Sequence, residues 1–314
     1  MKTYGAIDIG TNSVLLLIGR IDKNKHIEPI HEDLKVTRIG KGVYDTKLIK
    51  NEAMTKTLSV LKDYIDKCKK SGAENIKVVG TSALRMAENS SAFLNLVKNE
   101  TDIIVEVISG KKEAELSFLG AVSGIEDKGI NTTIIDIGGG STEIIFGADD
   151  KIQYSKSLEI GSVRLTEKFL KSDPVEENEV RNIREAIKNN LKQIPPRPPL
   201  AKGGWGDLPN KDNLLIGVAG TVTTLAQIDL KIPGYDRLKI ENWKLKSENL
   251  KRIISVLKKK DMDERKKIIG LEPDRADVII AGAIILEEII NYLKFYELHV
   301  STRGLRYGVM MEMI

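Results

Sequence analysis

The sequence predicts an α/β protein of two domains built on one repeated fold, and three observations carry that expectation. The chain has 314 residues, too long for one ordinary core and suited to two. Strand-like and helix-like segments alternate up to about residue 124, and the alternation restarts near residue 130. The first strand of each half ends in an acidic, glycine-rich turn, "IDIGTNS" at 7–13 and "IDIGGGST" at 135–142. The expected domains are 1–124 and 125–314, the final residues being free to pack back on the first.

Each element has its own signal. "TYGAIDI" (3–9) and "SVLLLIGRI" (13–21) read as a hairpin around "GTN", with a further strand element over 26–40. Met54, Leu58, Leu61, Ile65 and Cys68 recur at steps of three and four, which predicts a helix over 51–70 stopped by Gly72. Strands follow at 75–81 and 103–109, helices at 90–99 and 111–124. In the second half, strands are expected at 132–137, 141–148, 151–159, 213–220 and 297–301. Helices are expected at 162–171, 174–192, from 221, at 246–258 and at 274–292. The last of these is apolar on more than one side. It is expected at the centre of its domain, with a homodimer interface as the alternative. "PPRPPLAKGGWGDLPNKD" (195–212) breaks the rhythm and reads as an exposed insertion, with a proline-rich docking motif as the weaker reading.

Composition narrows the function. Forty-nine Lys+Arg against 45 Asp+Glu give a net charge of +4, too little to argue for a nucleic-acid partner. One cysteine, Cys68, excludes an internal disulfide, and the three histidines show no metal-ligand spacing. No secretory signal and no membrane-length apolar run stand in the sequence, so a cytoplasmic protein without a membrane partner is expected.

The two acidic turns carry the chemistry. A strand that turns sharply through glycine leaves several N–H groups facing one way, a nest for phosphate oxygens. An aspartate at the strand end would repel phosphate, but it can hold a divalent cation that bridges to it. Asp8-Ile9-Gly10-Thr11 and Asp136-Ile137-Gly138-Gly139-Gly140-Ser141-Thr142 both fit. One such turn could be an ordinary hairpin; two suggest a chain of phosphates clamped in a cleft between related domains. A third turn, "GVAGTVTT" (217–224), places Gly220 and Thr221 at a helix start, where they form an anion site or a simple cap. Glu113 opens the helix at 111–124, either complementing the helix dipole or acting as general base.

These residues resemble the exopolyphosphatase/guanosine pentaphosphate phosphatase (Ppx/GppA) family of the actin and sugar-kinase superfamily. The resemblance covers nearly the whole chain apart from 195–212. It rests on "AIDIGTNSV" (6–14), "TRIGKGV" (37–43), "VVGTSALRMAEN" (78–89), "EVISGKKEAELSFLGA" (106–121), "IIDIGGGSTEIIFG" (134–147), "LEIGSVRLTEKF" (158–169), "GVAGTVTTLA" (217–226) and "VSTRGLRYGV" (300–309). It implies two ribonuclease H-like domains with the cleft between them. It further implies Mg²⁺- or Mn²⁺-dependent hydrolysis of polyphosphate or of guanosine pentaphosphate.

By position, Glu113 matches the family's catalytic glutamate. Asp8, Asp136 and Glu143 match the acidic residues that hold the metal or orient water. Thr11, Asn12 and Ser13, with Gly10, match the first phosphate loop, and Gly138, Gly139, Gly140 and Ser141 the second. Arg38 and Arg85 match basic positions of the site. Leu15 stands where many members have arginine. Lys112 stands where many have glutamate and is expected to add positive charge near the substrate. Longer members add a C-terminal helical domain that bears on processivity. The competing readings are a non-catalytic sensor of guanosine tetra- or pentaphosphate and an ATP-dependent kinase of the same superfamily.

Overall fold

The chain divides into unit 1, Met1–Ser123 with Arg303–Ile314, and unit 2, Gly124–Thr302. The computed structural model describes residues 1–22, 26–125, 130–195 and 213–313. The expected insertion at 195–212 therefore lies, after Pro195, outside the described residues. Unit 1 opens with β1 (Lys2–Ile9), β2 (Ser13–Ile21) and β3 (Ile27–Val36). α1 (Val43–Thr46), α2 (Asn51–Lys70), β4 (Asn75–Gly80), α3 (Ser82–Met86), α4 (Ser90–Thr101), β5 (Val105–Val107) and α5 (Gly110–Val122) follow. Unit 2 holds β6 (Asn131–Ile137), β7 (Thr142–Ala148), β8 (Lys151–Leu158), α6 (Ser162–Phe169), α7 (Glu177–Leu191), β9 (Asn213–Val218) and α8 (Ala219–Leu230). It continues with α9 (Arg237–Ile240), β10 (Lys244–Lys246), α10 (Ser247–Lys259), α11 (Met262–Arg265), a 3₁₀ turn at Pro273–Arg275, α12 (Ile279–Leu293) and β11 (Glu297–Val300). The chain then returns to unit 1 as α13 (Leu305–Met311).

The expected repeat is visible in the sheets. Unit 1 runs β3-β2-β1-β4-β5, and unit 2 runs β10-β11-β9-β6-β7-β8. Read from the other edge, β8-β7-β6-β9-β11 reproduces the unit 1 order. The directions agree as well: the first three strands are antiparallel and the next two parallel to the third. Even the irregularity is shared, with a bulge at Ile18/Gly19 and another at Phe146/Gly147. Each unit is an α/β domain on a mixed sheet, and β10 is an added edge in the second.

Parallel neighbours need a crossover, and helices supply it. Between β3 and β4 the crossover is α2, whose Met54, Leu61, Ile65 and Cys68 are buried as the periodicity requires. Alternation along β1 sends Ile7 and Ile9 to the α2 and α4 face, in one cluster with Leu61, Ile65, Phe93 and Val97. Ala6 faces the opposite way, with Leu17, Val79, Leu116 of α5 and Tyr307 and Val309 of α13. α13 and α5 touch backbone to backbone: a Cβ on Gly308 would run into the Leu116 carbonyl.

Unit 2 has one large core around α12, whose residues Ile279 to Ile290 are all buried. That helix starts later than expected because Pro273 opens a separate 3₁₀ turn. Its apolar sides are taken up inside unit 2. Among the described residues, no helix is long and apolar enough to cross a membrane.

Candidate phosphate-binding and catalytic site

The two glycine-rich turns share one construction. In loop 1 the Gly10 N–H donates to the Ser13 carbonyl at 3.0 Å, and in loop 2 the Gly138 N–H donates to the Ser141 carbonyl at 3.0 Å. Behind each loop a second segment takes its carbonyls. Thr37 and Arg38 donate to Asn12 O at 3.1 and 2.9 Å, and Gly40 donates to Thr11 O at 2.9 Å. In unit 2, Ser162 donates to Gly138 O at 3.0 Å, and Val163 and Arg164 donate to Gly139 O at 2.9 and 3.0 Å.

A trans peptide points its C=O and its N–H in opposite directions. Fixing the Thr11 carbonyl on the backing segment therefore aims the Asn12 N–H the other way. Fixing the Gly138 and Gly139 carbonyls does the same for the N–H groups of Gly139 and Gly140. Successive N–H groups facing one side form an anion nest. The backing segments are seated tightly: a Cβ on Gly161 would collide with the backbone of Gly139 and Gly140, and one on Gly40 with Thr11. Thr11, Asn12, Ser13 and Ser141 are all buried.

The carboxylates fall where strand alternation sends them. Asp8 is half-buried on the face of β1 that Ala6 presents to α5 and α13. Leu15 stands directly across from Asp8 on β2, so an apolar side chain occupies the place beside the first loop. In unit 2, Asp136 and Glu143 are register partners on β6 and β7, and Ser157 is the partner of Glu143 on β8. The three share one sheet face. Asp136 and Glu143 are buried, and the Ser157 hydroxyl donates to Glu143 Oε1 at 2.6 Å. Ser157 carries no motif of its own, but strand pairing with the Glu143 position would have pointed to it.

α5 begins at the Ser109 cap, whose hydroxyl accepts from the Lys112 N–H at 3.2 Å. Glu113 is buried in its first turn, and its Oε2 accepts from the Arg85 guanidinium at 2.6 Å. The same Arg85 nitrogen donates to the Ile108 carbonyl at 2.9 Å. Arg85, expected on phosphate, therefore spends this nitrogen on orienting Glu113. Lys112, expected to add charge to the site, bonds instead to Glu312, which also accepts from Lys77 at 2.9 Å. Burial would raise the Glu312 pKa, but the two ammonium groups outweigh it and hold the carboxyl below its usual value.

Arg38 is half-buried with a left-handed backbone at φ 57°, fixed by its N–H bond to loop 1. At the third turn, α8 starts from Val218 without a side-chain cap, so Thr221 does not cap it. The Arg275 guanidinium lies against Gly220, on the ground a Cβ would take.

The donor chemistry can be tested against the expected metal. Asp136 and Glu143 are hard oxygen donors facing each other across two strands, without a histidine or cysteine between them. Among the described residues, no group of three or more His, Cys, Asp or Glu is gathered to hold a metal. Two carboxylates fit Mg²⁺, which keeps several waters and takes phosphate oxygens to complete its shell. They do not fit an all-protein cage. In unit 1, Asp8 offers a single carboxylate.

The comparisons with known proteins show the family. The model of the Ppx/GppA phosphatase family matches residues 17–314. The chain belongs to the Ppx/GppA phosphatase family. It is 37% identical to a bifunctional 3-dehydroquinate synthase/phosphatase of Fusobacterium nucleatum, over 98% of this chain and 46% of that protein. This chain thus spans about half the length of that relative. It is 33% identical to exopolyphosphatase 2 of Mycobacterium tuberculosis, over 94% of this chain and 92% of the relative. The crystal structure of the Aquifex aeolicus family member superposes with a TM-score of 0.81 at 32% identity, covering 99% of this chain and 97% of that one. An exopolyphosphatase structure from Cytophaga hutchinsonii gives a TM-score of 0.87 at 29% identity, with 99% and 97% covered.

Proposed function

We propose that this family member is an exopolyphosphatase: it hydrolyses the terminal phosphoanhydride of inorganic polyphosphate and releases orthophosphate. The observation that carries the reading is the duplicated loop, carbonyls bound from behind and N–H groups turned outward, once in each unit. Such loops suit a substrate made of repeated phosphates. The likeness to proteins named exopolyphosphatase supports the same substrate class.

In this reading the outward N–H groups of Gly139 and Gly140 in unit 2, and of Asn12 in unit 1, bind phosphate oxygens of the substrate. Glu113, held by Arg85, accepts a proton from the attacking water. The new P–O bond forms to that water oxygen, the bridging P–O bond breaks, and the shortened chain leaves with the bridging oxygen. Asp136 and Glu143 would hold Mg²⁺, which when bound neutralises phosphate charge. Most of the catalysis comes from positioning and fixed charge, since phosphoryl transfer asks little covalent chemistry of the protein. Guanosine pentaphosphate offers the same terminal anhydride and is the second candidate substrate.

The test is orthophosphate release from long-chain polyphosphate and from guanosine pentaphosphate, side by side with Mg²⁺ at equal enzyme. Faster release from polyphosphate supports the proposal. Release from the nucleotide alone reassigns the substrate, and release from neither rejects it.

A further inference from the structure

Loop 1 is tied to the helix that carries Arg85 through a phenol that no motif singled out. The Thr11 hydroxyl lies 3.1 Å from the Tyr44 hydroxyl, which lies 3.2 Å from the Ser82 hydroxyl. Thr11 and Ser82 are buried, and Tyr44 is half-buried on α1. A hydroxyl both donates and accepts, so three of them form a continuous chain. The Thr11 methyl sits over Gly40, which fixes the other branch of the same side chain. Ser82 opens α3, and three residues on is Arg85, which holds Glu113 at 2.6 Å.

We infer that Tyr44 is a positioning residue of the phosphatase reaction, setting loop 1 and the Arg85–Glu113 pair through one hydroxyl. This rests on the reading proposed above. Tyr44 touches no reacting atom in this account; it acts through Thr11 on one side and through Ser82 and α3 on the other. The rigid ring carries the hydroxyl from α1 to both partners, and the backing segment 37–42 that precedes α1 holds the loop 1 carbonyls. Loop and helix are thus referred to one frame within unit 1.

The test is a double-mutant cycle with Tyr44→Phe, Thr11→Val and both together, reading kcat and KM for phosphate release alongside Tm. Tyr44→Phe keeps the ring and removes only the hydroxyl. Each single change is expected to lower kcat/KM by about 3–10-fold, the scale of one net hydrogen bond. The double variant should lose no more than the worse single, because both remove the same link. Unchanged kcat/KM in Tyr44→Phe, or losses that multiply in the double variant, would overturn the inference. If Tyr44→Phe unfolds, Ser82→Ala paired with Thr11→Val runs the same cycle from the other end. If the wild-type protein releases no phosphate, the phosphatase reading fails by itself. The cycle is then read as thermal stabilisation by tripolyphosphate, where a coupled loss still supports the Tyr44–Thr11 link and independent losses refute it.

Discussion

Gly161→Ala is the sharpest perturbation of the phosphate loop in unit 2. Gly161 has φ −146°, extended backbone open to any residue, so alanine brings no conformational strain. Its methyl group, however, would sit 2.5 Å from the carbonyl carbons of Gly139 and Gly140, where ordinary contact starts at 3.4 Å. Loop and backing segment must separate by about 0.9 Å, the difference of those distances. The atoms it meets are backbone, so no side chain can swing aside. The separation also stretches the bonds from Ser162, Val163 and Arg164 that aim the loop. A misplacement of about 1 Å at a reacting centre costs roughly 10²-fold in rate. Overpacking of this kind destabilises by about 1–3 kcal/mol. The assay is kcat/KM for phosphate release from polyphosphate, with Tm as the folding control. A folded Gly161→Ala variant with wild-type kcat/KM would refute the claim that this loop binds substrate phosphate.

Three further outcomes follow from the same geometry. Glu113→Gln should fold, since the amide oxygen can still accept from Arg85, and should lose about 10²–10⁴ in kcat, the usual worth of a general base; a turnover number near wild type would remove Glu113 from that role. Ser157→Ala takes the hydroxyl from Glu143 and should raise the half-saturating Mg²⁺ concentration about 10-fold, as loss of an outer-shell partner does; Mg²⁺ calorimetry should show the same weakening, and an unchanged isotherm would contradict it. Glu179 accepts from the N–H groups of Lys171, Ser172 and Glu176 at 2.7, 3.0 and 3.0 Å. Burial would raise its pKa, but these bonds outweigh it and hold the carboxyl below its ordinary 4.5. Its contribution is therefore complete above the unfolded-state value and disappears as pH falls through the lowered one. Glu179→Gln should lower Tm by roughly 4–12 °C at pH 7, from about 2–3 kcal/mol. The gap to wild type should narrow as pH falls below 4.5, and a gap that does not narrow in acid would exclude this account.

Much of the fold was legible because local physics determines it. α2 matches its expected range, 51–70, because an apolar stripe, no interior proline and a stopping glycine agree. The β1–β2 and β6–β7 hairpins were readable from the same turn chemistry written twice. What the sequence withheld depends on long-range contact. α13 joins unit 1 from the far end of the chain, a return the expected domain division allowed, but nothing local announces its seat on α5 at Gly308. The short helices α1 and α3 are too brief to show a period.

The site divides in the same way. Loop residues and carboxylates were readable from their motifs, but their partners were not. Arg85 turned out to hold Glu113, and Lys112 turned out to meet Glu312. Ser157 and Tyr44 gained roles only through strand register and through a hydroxyl chain that joins residues far apart in sequence.

The central claim is terminal phosphoanhydride hydrolysis. Its most direct test follows long-chain polyphosphate with the wild-type protein, measuring orthophosphate while the remaining chain is sized on a gel, with Mg²⁺ and with chelator. The account predicts orthophosphate as the sole small product, chains that shorten from their ends, and no reaction under chelation. Internal fragments without orthophosphate, or an intact chain with Mg²⁺ present, would contradict it.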